Sequence, residues 1–213
     1  STEMVQAILE GRKTQTRRII KPQPEEGIIT TAFDFKKGFY ASKIKIEENP
    51  DRFEITKLFK PKYQTGDILW VRETWQTTWN ENKKSWDTIY KADGGYWIDD
   101  DGIMKWKPSI YMPKKRARIF LEVSNVRIER LRDISEDDAI AEGVESFNHG
   151  YGGSPVGVWY KDYIYGKFNL KPNFSFKSLW KKINGEDSWN TNPWVWVYEF
   201  KVVEKPKDFT NEH

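Results

Sequence analysis

"RARIFLEVSNVRIERLRDISEDDAIAEG", residues 116–143, carries the two periodicities on which the fold turns. In its first half Ile119, Leu121 and Val123 alternate with Arg118, Phe120 and Glu122, and the pattern then repeats. Side chains that point to opposite faces in turn give this signature, so the segment predicts a half-buried strand or a strand pair. In its second half Ser135 stands at a helix N-cap, acidic residues fill the first turn and Gly143 follows the last helical position. That spacing predicts a short helix over 136–142.

Upstream, "TGDILWVRETW" (65–75) pairs a turn at Gly66 and Asp67 with the apolar run Ile68, Leu69, Trp70 and Val71, the pattern of a central buried strand. "TEMVQAILE" (2–10) sets Met4, Val5, Ala7 and Ile8 at helical spacing, with Gly11 just past the end. Thr14, Thr16, Ile19 and Ile20 then favour an extended chain, which "KPQP" closes near Lys21. Downstream, Phe176, Leu179, Trp180 and Ile183 form one face of a helix over 174–185, and "NPWVWVYEFKVV" (192–203) alternates as a final strand. Three stretches read as insertions: 24–62 with weak strand alternation, 76–112 as a β-hairpin, and the Gly- and Tyr-rich 145–172 as a long loop. Residues 207–213 read as a flexible tail. Strands predominate without regular β-α-β alternation, so the expectation is one α+β, mainly β domain over 1–206, a small barrel with short flanking helices.

The chain has 213 residues, 35 Lys+Arg against 32 Asp+Glu, and a net charge of +3, so any nucleic-acid site must be a local patch. Eleven Trp, ten Tyr and twelve Phe give a core that is unusually aromatic and rings that can face a ligand. With no Cys and two His, disulfides, thiol nucleophiles and Cys-based zinc sites drop out, and His149 has no ligand spacing. No metal or cofactor is expected. No apolar run reaches the roughly 18 residues a membrane span needs and no signal peptide opens the chain, so the expectation is a soluble, cytoplasmic protein.

The chemistry-bearing residues gather in a few places. "GRKTQTRRII" (11–20) brings Arg12, Lys13, Arg17 and Arg18 together beside Thr16; its bland alternative is a charged edge strand. Glu73 in "VRETW" can line the barrel mouth, and Arg72 can pair with it or with a phosphate. "MPKKRAR" (112–118), which includes Arg116, reads as a phosphate-contact patch or a charged strand entry. Trp75, Trp79 and Trp189 fall near loops where a base can stack, although a structural role suits each as well. "GYGGSP" (150–155) lacks both phosphate-cradle patterns and reads as a loop.

Taken in order, "MVQAILEGRKTQTRR", "GDILWVRETW", "MPKKRARIFLEV", "ISEDDAIAEGV" and "LWKKINGEDSWNTNPWVWVYEF" resemble the ASCH family, and within it the longer phage- and prophage-encoded branch. The resemblance spans most of residues 3–203. It implies a PUA-like β-barrel and an RNA, nucleoside or nucleotide partner. That branch has a short apolar strand before the first helix, so it also implies a start trimmed relative to the family and, if phage-encoded, a host-cytoplasmic location. Small bacterial members hydrolyse the acetyl amide of N4-acetylcytidine, and their functional residues fall here on Lys13, Thr16 and Glu142. For metal-free amide hydrolysis Thr16 or a water would attack, Lys13 would act as base or oxyanion stabiliser, and Glu142 would shuttle the proton. Glu142 in the last helical turn faces a dipole that disfavours its charge. Arg12, Arg17, Arg72, Glu73, Trp75 and Arg116 are the expected substrate-binding residues. Lys13 and Thr16 point to opposite faces of a regular strand, so their convergence requires an irregularity between residues 11 and 16. A non-catalytic RNA-binding module, a metal-independent ribonuclease and a phage assembly protein are the alternatives.

Overall fold

The computed structural model describes residues 1–24, 28–34, 38–46, 53–94, 98–99, 102–103, 105–149 and 157–210. The order begins with helix α1 (Thr2–Leu9), then β1 (Gln15–Ile19), β2 (Ile28–Asp34), β3 (Gly38–Ile46), β4 (Phe53–Phe59) and β5 (Ile68–Trp70). β6 (Trp75–Asn80), β7 (Ser85–Tyr90), β8 (Ile98–Asp99), β9 (Gly102–Ile103) and β10 (Phe120–Arg130) follow. Helix α2 (Glu136–Ala141), β11 (Ser146–His149), β12 (Gly157–Lys161), β13 (Phe168–Asn169), helix α3 (Pro172–Asn184) and β14 (Trp194–Val203) complete it. The protein is mainly β, and its principal sheet, in the order β1-β14-β10-β5, curls into a half-barrel of antiparallel strands.

β10 is a single strand, and its repeated alternation has a mechanical cause. The ladder with β14 shifts register between Val123 and Asn125, so Ser124 is an extra residue. A bulge of this kind resets which face each side chain meets. Val123 before it and Val126 after it therefore reach the same cluster, with Ile20, Phe59, Trp196 and Tyr198. The other face of the sheet carries Val195 and Val197, fully buried under α2 and α3 by Leu131, Ala139, Phe176, Leu179 and Trp180. Ser135 caps α2 by accepting from the Asp138 N–H, as its place in the sequence requires.

Several expectations are corrected. β5 is an edge strand of three residues paired to β10, not a central one, because the chain leaves the ladder after Val71 and turns Glu73 inward. The segment 24–62 contributes a three-stranded meander, β2-β3-β4. Within 145–172 the chain forms the sheet β11-β12-β13 instead of an unbroken loop, with Phe147 and Phe168 in edge-to-face contact; the GYGGSP segment lies outside the described residues. Residues 207–210 make a 3-10 turn, and Phe209 packs edge-to-face on the buried Phe120 ring at 4.7 Å, so this part of the expected tail is anchored. The hairpin expected in 76–112 is β6-β7, with Trp79 and Trp86 crossed at its far end. No helix among the described residues is long and apolar enough to cross a membrane.

Candidate functional site

The site begins with a glycine. Gly143 has φ +86, and a Cβ there would stand 2.7 Å from the Lys13 Cβ and 3.0 Å from the Ala7 Cβ. A residue with a side chain would be strained and would also push these segments apart. Glycine lets the end of α2 close on the segment after α1, where Thr14 N–H donates to Ala141 O and Lys13 N–H to Ala7 O. Lys13 and Glu142 thereby form an antiparallel bridge.

Lys13 Nζ donates to Glu142 Oε2 at 3.0 Å, to Glu142 O at 2.7 Å and to Gln15 O at 2.8 Å. Three acceptors match the three donors of an ammonium. The other carboxylate oxygen, Oε1, accepts from Arg17 Nη1 at 3.1 Å. Lys13 and Glu142 side chains are 10% and 6% exposed, and Arg17 is fully buried. Asp138 on α2 and Glu142 at its C-cap stand i and i+4, hence on one face, and Arg17 Nη2 donates to Asp138 Oδ2 at 3.0 Å and Glu129 Oε2 at 2.9 Å. Arg127 stands opposite Arg17 across Val197 in the sheet and pairs with Asp138, Glu129 and Glu199. The Arg17 guanidinium also lies 5.8 Å from the Phe176 ring centre.

Burial holds the Lys13 pKa below the ordinary lysine value; Glu142 works against this, and Arg18 and Arg17 add to the lowering. The sign for stability follows directly. In the window between the lowered folded value and the ordinary unfolded one, the unfolded chain holds more protons on Lys13, so stability rises with pH there and falls as pH drops through it. The stability difference between the wild type and Lys13→Met is expected to move in favour of the wild type from about pH 8 to pH 10, read by urea denaturation at each pH. A flat difference would show that Lys13 titrates normally.

The residues expected at the site divide. Lys13 and Glu142 are together, whereas Thr16 is not with them. The irregularity lies at Gly11, φ +72, ahead of Lys13; the ladder with β14 then runs without a shift from Thr14, whose carbonyl accepts from Phe200 N–H, through Ile19. Thr16 therefore faces away from Arg17, opposite Tyr198, and no hydrogen bond joins it to Lys13 or Glu142 among the described residues. Arg17, expected to meet ligand, is enclosed by carboxylates and positions Glu142. Arg12 donates to Gly143 O at 3.1 Å and, with Gly143, Glu3, Gln6, Glu10 and Tyr163, lines an open cleft of about 260 Å³ between α1 and the chain after α2. The cleft wall thus includes the immediate sequence neighbours of Lys13 and Glu142.

Arg72, Glu73, Trp75 and Arg116 form a second group. Glu73, 1% exposed, is held in a two-pronged pair by Arg118, at 3.0 and 2.8 Å, and not by Arg72. Arg118 also meets Asp93 at 2.7 Å and stacks on Tyr90 at 3.9 Å. Burial opposes its charge, but the bonds from Glu73 and Asp93 outweigh this and raise its pKa. Arg72 lies over the Trp70 ring, and Trp75 is buried between Arg116 and Lys107 contacts. Trp189 is buried in the α3 core and Trp79 is exposed.

Sequence reading missed Gln15, Arg127, Glu129, Asp138 and Arg118. The i, i+4 spacing of Asp138 and Glu142 and the i, i+2 spacing of Arg127 and Glu129 were the available signals, since the contacts of Glu129 and Asp138 with Arg17 and of Arg118 with Glu73 join segments remote in sequence. No family model, no curated protein and no solved structure matches the chain.

Proposed function

We propose that the chain is an ASCH-type protein whose half-barrel is PUA-like, that it recognises a nucleoside, nucleotide or RNA base at the Arg12 cleft, and that it hydrolyses the acyl amide of a base such as N4-acetylcytidine. The observation that carries this reading is the Lys13–Glu142 pair, mostly buried and clamped from behind by Arg17. The motif order described above supports the family assignment. Glu142 takes a proton from water, whose oxygen attacks the acyl carbon; Lys13 stabilises the oxyanion and hands a proton to the leaving N4 amine as the C–N bond breaks. The products are acetate and cytidine. The placement of Thr16 on the far face of β1 favours water over Thr16 as nucleophile. A low-dielectric enclosure strengthens each of these charge interactions.

The saturation of all three Lys13 donors favours a second reading, a recognition module without turnover, in which the same pair braces the Arg12 and Gly143 wall of the cleft from behind. Incubation of the protein with N4-acetylcytidine, followed by chromatography, separates the two. Cytidine accumulating with enzyme concentration is the expected result; nucleoside binding without cytidine would leave recognition alone, and neither binding nor cytidine would remove both readings.

A further inference from the structure

The basic residues near β6 and β7 fall into two classes. Arg118 is neutralised by Glu73 and Asp93, and Lys83 by Asp87. Arg116, Lys115 and Lys107, in contrast, have no carboxylate partner among the described residues. The Arg116 guanidinium is nevertheless held in place: Nη1 meets Thr88 Oγ1, the plane lies 5.1 Å from the Trp75 ring centre, and the backbone carbonyl accepts from Tyr90 Oη. An arginine ordered by a ring and a hydroxyl keeps its full charge and its remaining N–H groups available.

We propose that the open depression of about 350 Å³ lined by Thr88, Tyr90, Lys115, Arg116 and Ala117 is a phosphate-binding subsite. Its lining offers two cations and the Thr88 hydroxyl and contains no carboxylate, while the Tyr90 hydroxyl proton is held by the Arg116 carbonyl. Phosphoryl oxygens accept from a guanidinium fork and an ammonium together, and the Thr88 hydroxyl, which accepts from Arg116, has its own proton to add. Arg118, two residues further along, shows what happens where a carboxylate is supplied by the fold; among the described residues Arg116 has none. The group can arrive as free or terminal phosphate or as the diester of a strand, and both present the same oxygens. The subsite shares no residue with the Lys13–Glu142 pair and stands independently of the hydrolytic reading.

The test uses the full chain with two probes: inorganic phosphate followed by phosphorus NMR titration, and a single-stranded RNA decamer followed by fluorescence anisotropy. Arg116→Gln is expected to weaken whichever probe binds by roughly tenfold, the scale of one charge-assisted hydrogen bond, with Lys115→Gln adding to the loss. Lys83→Gln, in the turn of the β6–β7 hairpin that supplies Thr88 and Tyr90 but already paired with Asp87, should leave affinity unchanged. Because Arg116 also braces Trp75 and Thr88, Arg116→Lys and a thermal melt accompany it: charge retained without the fork should restore part of the affinity at unchanged stability. Arg116-dependent binding of inorganic phosphate assigns the site to free or terminal phosphate, and Arg116-dependent binding of the decamer alone assigns it to a diester. No binding of either probe, or binding indifferent to Arg116 and Lys115, overturns the proposal.

Discussion

Arg17→Met is expected to lower the unfolding free energy by about 3–5 kcal/mol, the cost of stripping one partner from a buried ionic cluster. The guanidinium is fully buried and meets Glu142, Asp138 and Glu129 within 3.1 Å. Methionine fills much of the same volume over Phe176 but offers no charge, so the three carboxylates are left to Lys13 and Arg127. Glu142 alone is too enclosed to recover hydration. Against the roughly 5–15 kcal/mol that stabilises a typical domain, such a loss is a large fraction. Urea denaturation reads it as a lower midpoint at unchanged slope. A loss below about 1 kcal/mol would mean that the cluster behaves as an exposed surface network.

Arg118→Met is the second large effect, again about 3–5 kcal/mol near neutral pH, because it strands Glu73 in a site where that residue is 1% exposed. The stranded carboxyl will take up a proton instead of remaining charged, which raises its pKa in the folded variant above the unfolded value. The folded variant then binds more protons than the unfolded chain between those two values, so its stability falls as pH rises through that window and recovers on acidification. Denaturation at about pH 5 and pH 7 should therefore show a smaller penalty at the lower pH. Combining Glu73→Leu with Arg118→Met should recover much of the loss, since an apolar pair replaces a stranded charge. Equal penalties at both pH values would place the effect in packing and not in the carboxylate.

Much of this architecture was legible because it is local. Ser135 and Gly143 bracket α2, and the two-residue alternation of 192–203 marks β14, the strand that β1 and β10 both join. β5 was misplaced because an apolar run of four reads alike at a sheet edge and at its centre; its partner decides, and β10 is remote in sequence. The strands of 145–172 were hidden because glycine and tyrosine signal turns as readily as pairing. At the candidate site, Lys13 and Glu142 could be named from the motif order, but their approach depends on Gly143 having no Cβ, a contact 130 residues along the chain from Lys13. Period-two geometry raised the objection to Thr16, and the unshifted ladder of β1 places that residue on the far face. Arg17 looked like a ligand contact because charge in a short strand gives no sign of which face is covered. What covers it is α2, whose Asp138 and Glu142 turn a surface-like sequence into a buried cluster.

The pairing of Lys13 with Glu142 as the reacting groups is tested most directly by the initial rate of N4-acetylcytidine hydrolysis in the wild type, Lys13→Met and Glu142→Gln, each checked for an intact fold by its melting curve. Loss of at least about a hundredfold in both variants, with nucleoside affinity retained, is the predicted result for groups that move protons and hold the oxyanion. Wild-type rates in either folded variant would contradict it.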